Sequence, residues 1–305
     1  MKIAHLVNPI KVSPDSDLYH AQPIAFSSMK QAKEYALANI PDIEISLFSA
    51  QYQEDLEQVP PYFIKTPNLE RSVLDSSHFD IPRKLPLIAD LLQKMYDNSD
   101  AEYLIYTNVD IIVLPYFYTA VFSFIQQGYD AFIINRRRIS DRYKNVSDLP
   151  LIYAALGKPH PGFDCFVFHR SLFTSFRLAN ICIGIPFIEI ALAHNLFCFS
   201  KKFHLFHDQH LTVHLGMEVI KDWGDKQYVE YNKKQFLEIK NYLMPHFNIR
   251  KFPYSHLPIH KRYLSWLFNP AMQIDICQKV ETSELKKLFR YHFNEFFFRF
   301  IWGWR

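Results

Sequence analysis

Tyr103-Leu104-Ile105-Tyr106-Thr107-Asn108-Val109-Asp110 is the stretch on which the fold reading turns. Residues 103–106 are an apolar run that reads as a buried strand. The run stops at a short polar tip, residues 107–110. A second apolar segment then opens with Pro115, well placed to begin a helix. In an open α/β sheet, ligands collect at the carboxyl ends of strands. Asn108 and Asp110 stand at alternate positions there. Two oxygen-bearing side chains at that spacing can share one hard cation, Mg²⁺ or Mn²⁺, which binds diphosphate oxygens at the same time. The plain alternative is a strand-end turn whose Asn and Asp cap the next segment.

Outward from this tip, strand and helix patterns alternate. Residues 3–7 predict a first strand, residues 8–22 a polar loop and residues 27–38 a helix. Residues 43–49 alternate as a strand. A polar connection, 51–79, leads to a helix over 86–96. Beyond the tip, 115–127 predicts a helix stopped by Gly128, and 131–134 a strand ending at Asn135-Arg136-Arg137-Arg138. Further strands are expected at 163–168 and 211–215, with a short helix over 188–194 between them. This alternation argues for an α/β fold with a mostly parallel, Rossmann-type sheet flanked by helices. After Trp223 the composition shifts: 226–240 is charged and helical, and 245–260 carries prolines and scattered charge. The expected division is a domain over 1–225 and a linker with a helical extension over 226–305.

Composition narrows the chemistry. A formal net charge of +3 is too small to argue for nucleic acid. Only 7 glycines occur, and neither GxGxxG nor GxxxxGK[ST] is present, so Gly-rich phosphate loops are disfavoured. Cys165, Cys182, Cys198 and Cys277 show no CxxC spacing and sit among apolar neighbours, as buried structural cysteines do. No signal peptide and no apolar run of roughly 18 residues is found, so a cytoplasmic location is expected.

Three further segments carry candidate chemistry. Asp164 follows Pro161-Gly162-Phe163 at the mouth of an apolar strand, a costly place for a charge without a partner. Glu189 is the lone acid among apolar residues at a helix start. Burial would raise its pKa toward the range of a general base, although helix-start acids are also favoured by the macrodipole. His204, His207, His210 and His214 cluster. His207, His210 and His214 would fit one helical face as a zinc site, but Val213 and the alternation over 211–215 favour a strand. Asn8, Lys84 and Arg136–Arg138 are supporting candidates for nucleotide or phosphate contacts; a solvated face is the plain reading of each basic group.

The order of these features resembles the GT-A glycosyltransferases: strand, Asn-Val-Asp tip, Pro-Gly-Phe-Asp strand, Glu helix, His-Leu-Gly, over roughly residues 1–225. Asn108-Val109-Asp110 is similar to their DxD motif, in an NxD form lacking the first Asp. The resemblance implies a GT-A-like domain, a divalent metal (Mn²⁺ or Mg²⁺) and a nucleotide-sugar donor. It implies sugar transfer to the hydroxyl of a glycan, lipid or small-molecule acceptor. Metal contacts would come from Asp110, Asn108 and His214, and donor contacts also from Asn8 and Lys84. Glu189 or Asp164 would be the base. Alternatives are a sugar-phosphate nucleotidyltransferase, disfavoured by the Gly-free Leu6-Val7-Asn8-Pro9 turn, and a catalytically silent GT-A-like binding module. In the tail, 283–305, an aromatic stripe lies beside Lys and Arg. It predicts an amphipathic helix that docks on the main domain or meets a membrane surface.

Overall fold

The computed structural model describes residues 1–160, 162–207, 209–217, 226–255 and 257–268, without the side chains of 266–268. The tail stripe over 283–305 and Cys277 therefore lie outside the described residues. In chain order the elements are β1 (Lys2–Val7), α1 (Asp17–Asn39), β2 (Glu44–Ser49), β3 (Ile64–Lys65) and α2 (Ile88–Asn98). Next come β4 (Tyr103–Thr107), β5 (Ile112–Val113), α3 (Phe117–Gln126), β6 (Ala131–Ile134), β7 (Arg137–Ile139), α4 (Leu149–Ala154) and β8 (Lys158–Pro159). The chain continues through β9 (Cys165–His169), α5 (Ile188–Phe199), β10 (Phe203–Phe206), β11 (Thr212–Leu215), α6 (Lys226–Leu243) and α7 (Ile259–Phe268).

The fold is mixed α/β with a mostly parallel central sheet, as expected. Its seven strands run in the order β10-β6-β9-β4-β1-β2-β3. All pairings are parallel except those of β9, which runs antiparallel to both β4 and β6. A second, four-stranded sheet, β5-β11-β7-β8, stands at the carboxyl ends of the central strands. Only β11 has a counterpart in the sequence reading, the strand expected at 211–215; β5, β7 and β8 are two or three residues long and carry too little pattern to register.

β4 shows why its apolar run is continuous. All five residues are buried. Leu104 and Tyr106 join one apolar cluster with α2, α5 and α6, while Tyr103 and Ile105 join another with α1 and α3. A central strand covered on both faces needs apolar side chains at every position, not alternate ones. Each large side chain so buried stabilises the fold by about 1.5–3 kcal/mol.

α1 starts ten residues before the expected helix. Ser16 caps it by accepting from the Leu18 amide, and Asp17 complements the positive end of the helix dipole. Pro23 lies inside the helix, and Gln22 is drawn inward to bond both backbone groups of Ile10. The polar look of 17–22 therefore marks a helix start rather than a loop. α6, placed by sequence in the extension, packs against the rest of the chain. Tyr228, Asn232, Gln235, Phe236, Ile239 and Leu243 are buried at a spacing that makes one helical stripe. Among the described residues no helix is long and apolar enough to cross a membrane.

Candidate functional site

Strand register brings the site together. Cys165 lies opposite Thr107 on one side and Ile134 on the other. Asn108, Asp164 and Asn135, each one residue beyond these partners, therefore meet at one end of the sheet. Arg136 follows directly. The second sheet adds its own residue: β11 pairs with β5 and β7, which carries His214 back to the loop that holds Asp110.

Asp110 and His214, 104 residues apart, lie in contact, with Asp110 Oδ2 3.1 Å from His214 Nε2. Asp110 Oδ1 is buried and has no hydrogen-bond partner among the described residues. Burial works against the Asp110 charge, but His214 and then Arg136 outweigh it and hold the carboxyl below its ordinary value. Asn108 is half-buried, and its Oδ1 accepts from the Tyr106 hydroxyl at 3.2 Å.

Asp164 is only 3% exposed. Its Oδ1 accepts from Arg136 Nη1 at 2.7 Å and its Oδ2 from the Arg136 backbone amide at 3.2 Å. Burial opposes its charge, yet Arg136, with His160 behind it, keeps the carboxyl far below the usual carboxylate range. His160 is itself pushed down to about 4, by burial first and then by Arg136. Its Nδ1 accepts from the Gly162 amide at 3.0 Å. A Cβ at Gly162 would lie 2.6 Å from the His160 ring, so a glycine is required for this close turn. The Arg136–Asp164 pair is a structural element of the site. Arg136→Ala should leave Asp164 buried without its partner and cost about 3–5 kcal/mol, read by urea unfolding. The pair's contribution is present above the ordinary Asp value of 3.8 and is lost as pH falls through the lower folded value.

Glu189 keeps partial solvent contact, yet its pKa is pushed up to about 7, by burial first, with Asp164 adding to the rise and Arg136 opposing it. Tyr106 lies within the field of both Glu189 and Asp110. The three carboxyl groups are thus linked electrostatically, Asp110 and Glu189 through Tyr106 and all three through Arg136.

Two features hold Glu189 in place. Phe187, just before α5, takes a left-handed φ of +88°. That conformation is strained for a bulky residue and is retained with its ring buried beside Phe236. Asn232, fully buried on α6, accepts from the Cys182 amide and donates to the carbonyls of Cys182 and Pro186. It clamps the segment leading into Glu189. Sequence reasoning passed over Asn232; its one signal is an amide on the apolar stripe of α6, where a polar group must find partners.

The remaining candidates are placed as follows. Asn8, at the end of β1, donates to the Ala50 carbonyl at 2.6 Å beyond β2. Lys84 lies 4.0 Å above the Tyr52 ring and 2.5 Å from Glu54. These two positions flank the carboxyl ends of β1 and β2. Arg137 donates to the carbonyls of Leu156 and Gly157, and Arg138 to those of Pro159 and Met217. These two arginines support loops rather than forming an open clamp with Arg136. His207 and His210 precede β11 rather than sharing a helix with His214, and His204 packs on Phe206. Among the described residues no three His, Cys, Asp or Glu side chains form a metal cluster, so the helical zinc arrangement does not occur. Cys165, Cys182 and Cys198 are free and buried, as expected.

No protein-family model and no curated protein matches the chain. Among solved structures it is similar to S. aureus TarS in complex with UDP-GlcNAc, at 10% identity over 91% of this chain and 84% of that one, with a TM-score of 0.44. It is also similar to M. tuberculosis glucosyl-3-phosphoglycerate synthase in complex with Mn²⁺, UDP and glucosyl-3-phosphoglycerate. That match has 13% identity, covers 81% of each chain and has a TM-score of 0.45. Similarity this loose assigns no function, which rests on the site's own residues.

Proposed function

We propose that this chain is a glycosyltransferase that moves a sugar from a nucleotide-diphosphate donor to an acceptor hydroxyl. The observation that carries the reading is Asp110 at the strand-end tip. One of its oxygens meets His214 and the other is buried without a hydrogen-bond partner among the described residues. A carboxylate and an imidazole suit a divalent ion such as Mn²⁺, and an ion of this class commonly keeps few protein ligands and completes its shell with substrate phosphates. Asp110 and His214 would hold it, with Asn108 beside them. When bound, it would offset the charge that builds on the diphosphate leaving group.

The chain's own groups account for the rest. Asn8 and Lys84 flank the ends of β1 and β2 and would bound the nucleotide. Glu189, with a pKa near 7, is ionised in part at neutral pH and is suited to accept a proton from the acceptor hydroxyl. As that oxygen bonds to the anomeric carbon, the bond from this carbon to the diphosphate oxygen breaks. This assignment applies to inversion of configuration; retention would not require a base at that position. Asp164, neutralised by Arg136, is poorly suited to the same task and instead fixes Arg136 beside Asp110 and Glu189. Tyr106 orients the Asn108 amide.

UDP-glucose and UDP-N-acetylglucosamine are the first donors to test. With Mn²⁺, a cognate donor at one hundred times its Kd should stabilise the fold by about 2.7 kcal/mol, read as a thermal shift that is absent without the metal. Binding without hydrolysis or transfer of the donor would favour the silent binding module. No metal-dependent shift with any nucleotide sugar would refute the proposal.

A further inference from the structure

Exposed apolar side chains concentrate in one part of the molecule far along the chain from the site residues. Of the 17 large hydrophobic residues that are exposed among the described residues, six fall within residues 244–264: Met244, Phe247, Ile249, Ile259, Tyr263 and Leu264. Ile259 and Tyr263, 66% and 61% exposed, are one turn apart and share a face of α7. The segment is nonetheless built into the fold. Leu243 and Tyr254 are buried, Phe252 packs on Phe197 and His194, and Lys251 reaches the Ser200 carbonyl. Its inner side is therefore already covered by α5, and the apolar side chains above are an outer surface.

The charge along this segment has one sign. No acidic residue occurs between Glu238 and Asp275, while Lys240, Arg250 and Lys261 are exposed. Arg262 ties α7 to the preceding turn through the carbonyls of Ser255 and Leu257, and Ser255 in turn bonds the Ile249 carbonyl. The exposed groups at 249–250 and 259–264 are thus held in one connected structure.

We propose that residues 240–255 and 257–264 form a membrane-docking surface that binds anionic lipid. Basic side chains meet the lipid headgroups and the neighbouring apolar side chains enter the headgroup–acyl boundary. Charge complementarity selects an anionic partner. Four of the six exposed apolar side chains, Met244, Ile249, Ile259 and Leu264, are aliphatic and offer no stacking platform for bases, which favours lipid over nucleic acid; the aromatic Phe247 and Tyr263 suit a membrane interface as well. Neither half of the surface suffices alone: apolar insertion is weak without electrostatic attraction, and the charges alone are screened by salt. The proposal is independent of the glycosyltransferase reading.

Vesicle flotation of the full chain provides the test, with equimolar phosphatidylcholine and phosphatidylserine compared with phosphatidylcholine alone. Wild type should float with the anionic vesicles, far less with the neutral ones, and less as salt rises. Each basic residue near the surface is worth about fivefold in binding. The variant carrying Lys240→Gln, Arg250→Gln and Lys261→Gln should therefore bind about 100-fold more weakly. A second variant, Ile249→Ser with Ile259→Ser, should also lose binding to anionic vesicles. All five positions are exposed, so both variants should melt with wild type. Failure of wild type to float with anionic vesicles overturns the proposal, as would happen if another part of this chain or a protein partner occupied the surface. Wild-type binding by either variant also overturns it, since attachment would then lie elsewhere.

Discussion

Asp110→Asn should abolish metal-dependent donor binding and lower turnover by about 10²–10³-fold, while the melting temperature of the free protein stays close to wild type. The substitution keeps the shape of the side chain and an oxygen that can face His214 Nε2. It removes the negative charge that a divalent ion requires. In wild type that charge is sustained by His214 and Arg136 against the cost of burial. Titration calorimetry of the donor with and without Mn²⁺ measures the first effect, and donor turnover the second. Unchanged Mn²⁺-dependent binding in Asp110→Asn would remove Asp110 from the metal site. His214→Ala should act in the same direction with a smaller effect, since it deletes a neutral or cationic neighbour and leaves the carboxylate in place.

Glu189→Gln should lower turnover by about 10²–10⁴-fold with donor affinity retained, the range ascribed to a positioned general base. Wild-type activity should rise with pH through about 7 as the Glu189 carboxyl ionises, and this limb should vanish in the variant. Stability gives a readout that activity alone does not. The Glu189 pKa is raised in the folded chain from an ordinary 4.5 to about 7. Its protonated form is thus favoured by folding, and the associated stability is fully present below 4.5 and lost as pH rises through about 7. Glutamine imitates the protonated form at every pH. Glu189→Gln should therefore melt at or above wild type on the alkaline side of 7, where a structural role for the carboxylate would give the opposite order. Retained turnover would end the assignment as base and leave retention of configuration, or another group, to be tested.

Much of the chain's architecture was legible because it follows from local chemistry. An uninterrupted apolar run predicts a strand covered on both sides, and β4 is that strand. Val213 and the alternation around it predict a strand rather than a zinc-binding helix, and β11 is found there. Glu189 announced itself as a lone acid among apolar residues at a helix start, and its raised pKa expresses the cost of enclosing that charge. The early start of α1 is also written locally, in Ser16 and Asp17, but the polar residues around that cap carry the same pattern as a loop.

The sequence by itself determined the class of sheet, the strand-end position of Asn108 and Asp110, and the set of polar residues with no evident place in a core. Those properties depend on side-chain size, charge and period over a few neighbouring residues, so a short window contains them. The tertiary structure alone decided which of those residues meet. The antiparallel course of β9 set Asp164 against Arg136 and turned a candidate base into half of an ion pair. The small second sheet brought His214 to Asp110 across 104 residues, and α6 supplied Asn232 to hold the approach to Glu189. Such pairings are fixed by strand register and by the burial of apolar faces from distant segments, which no local pattern encodes.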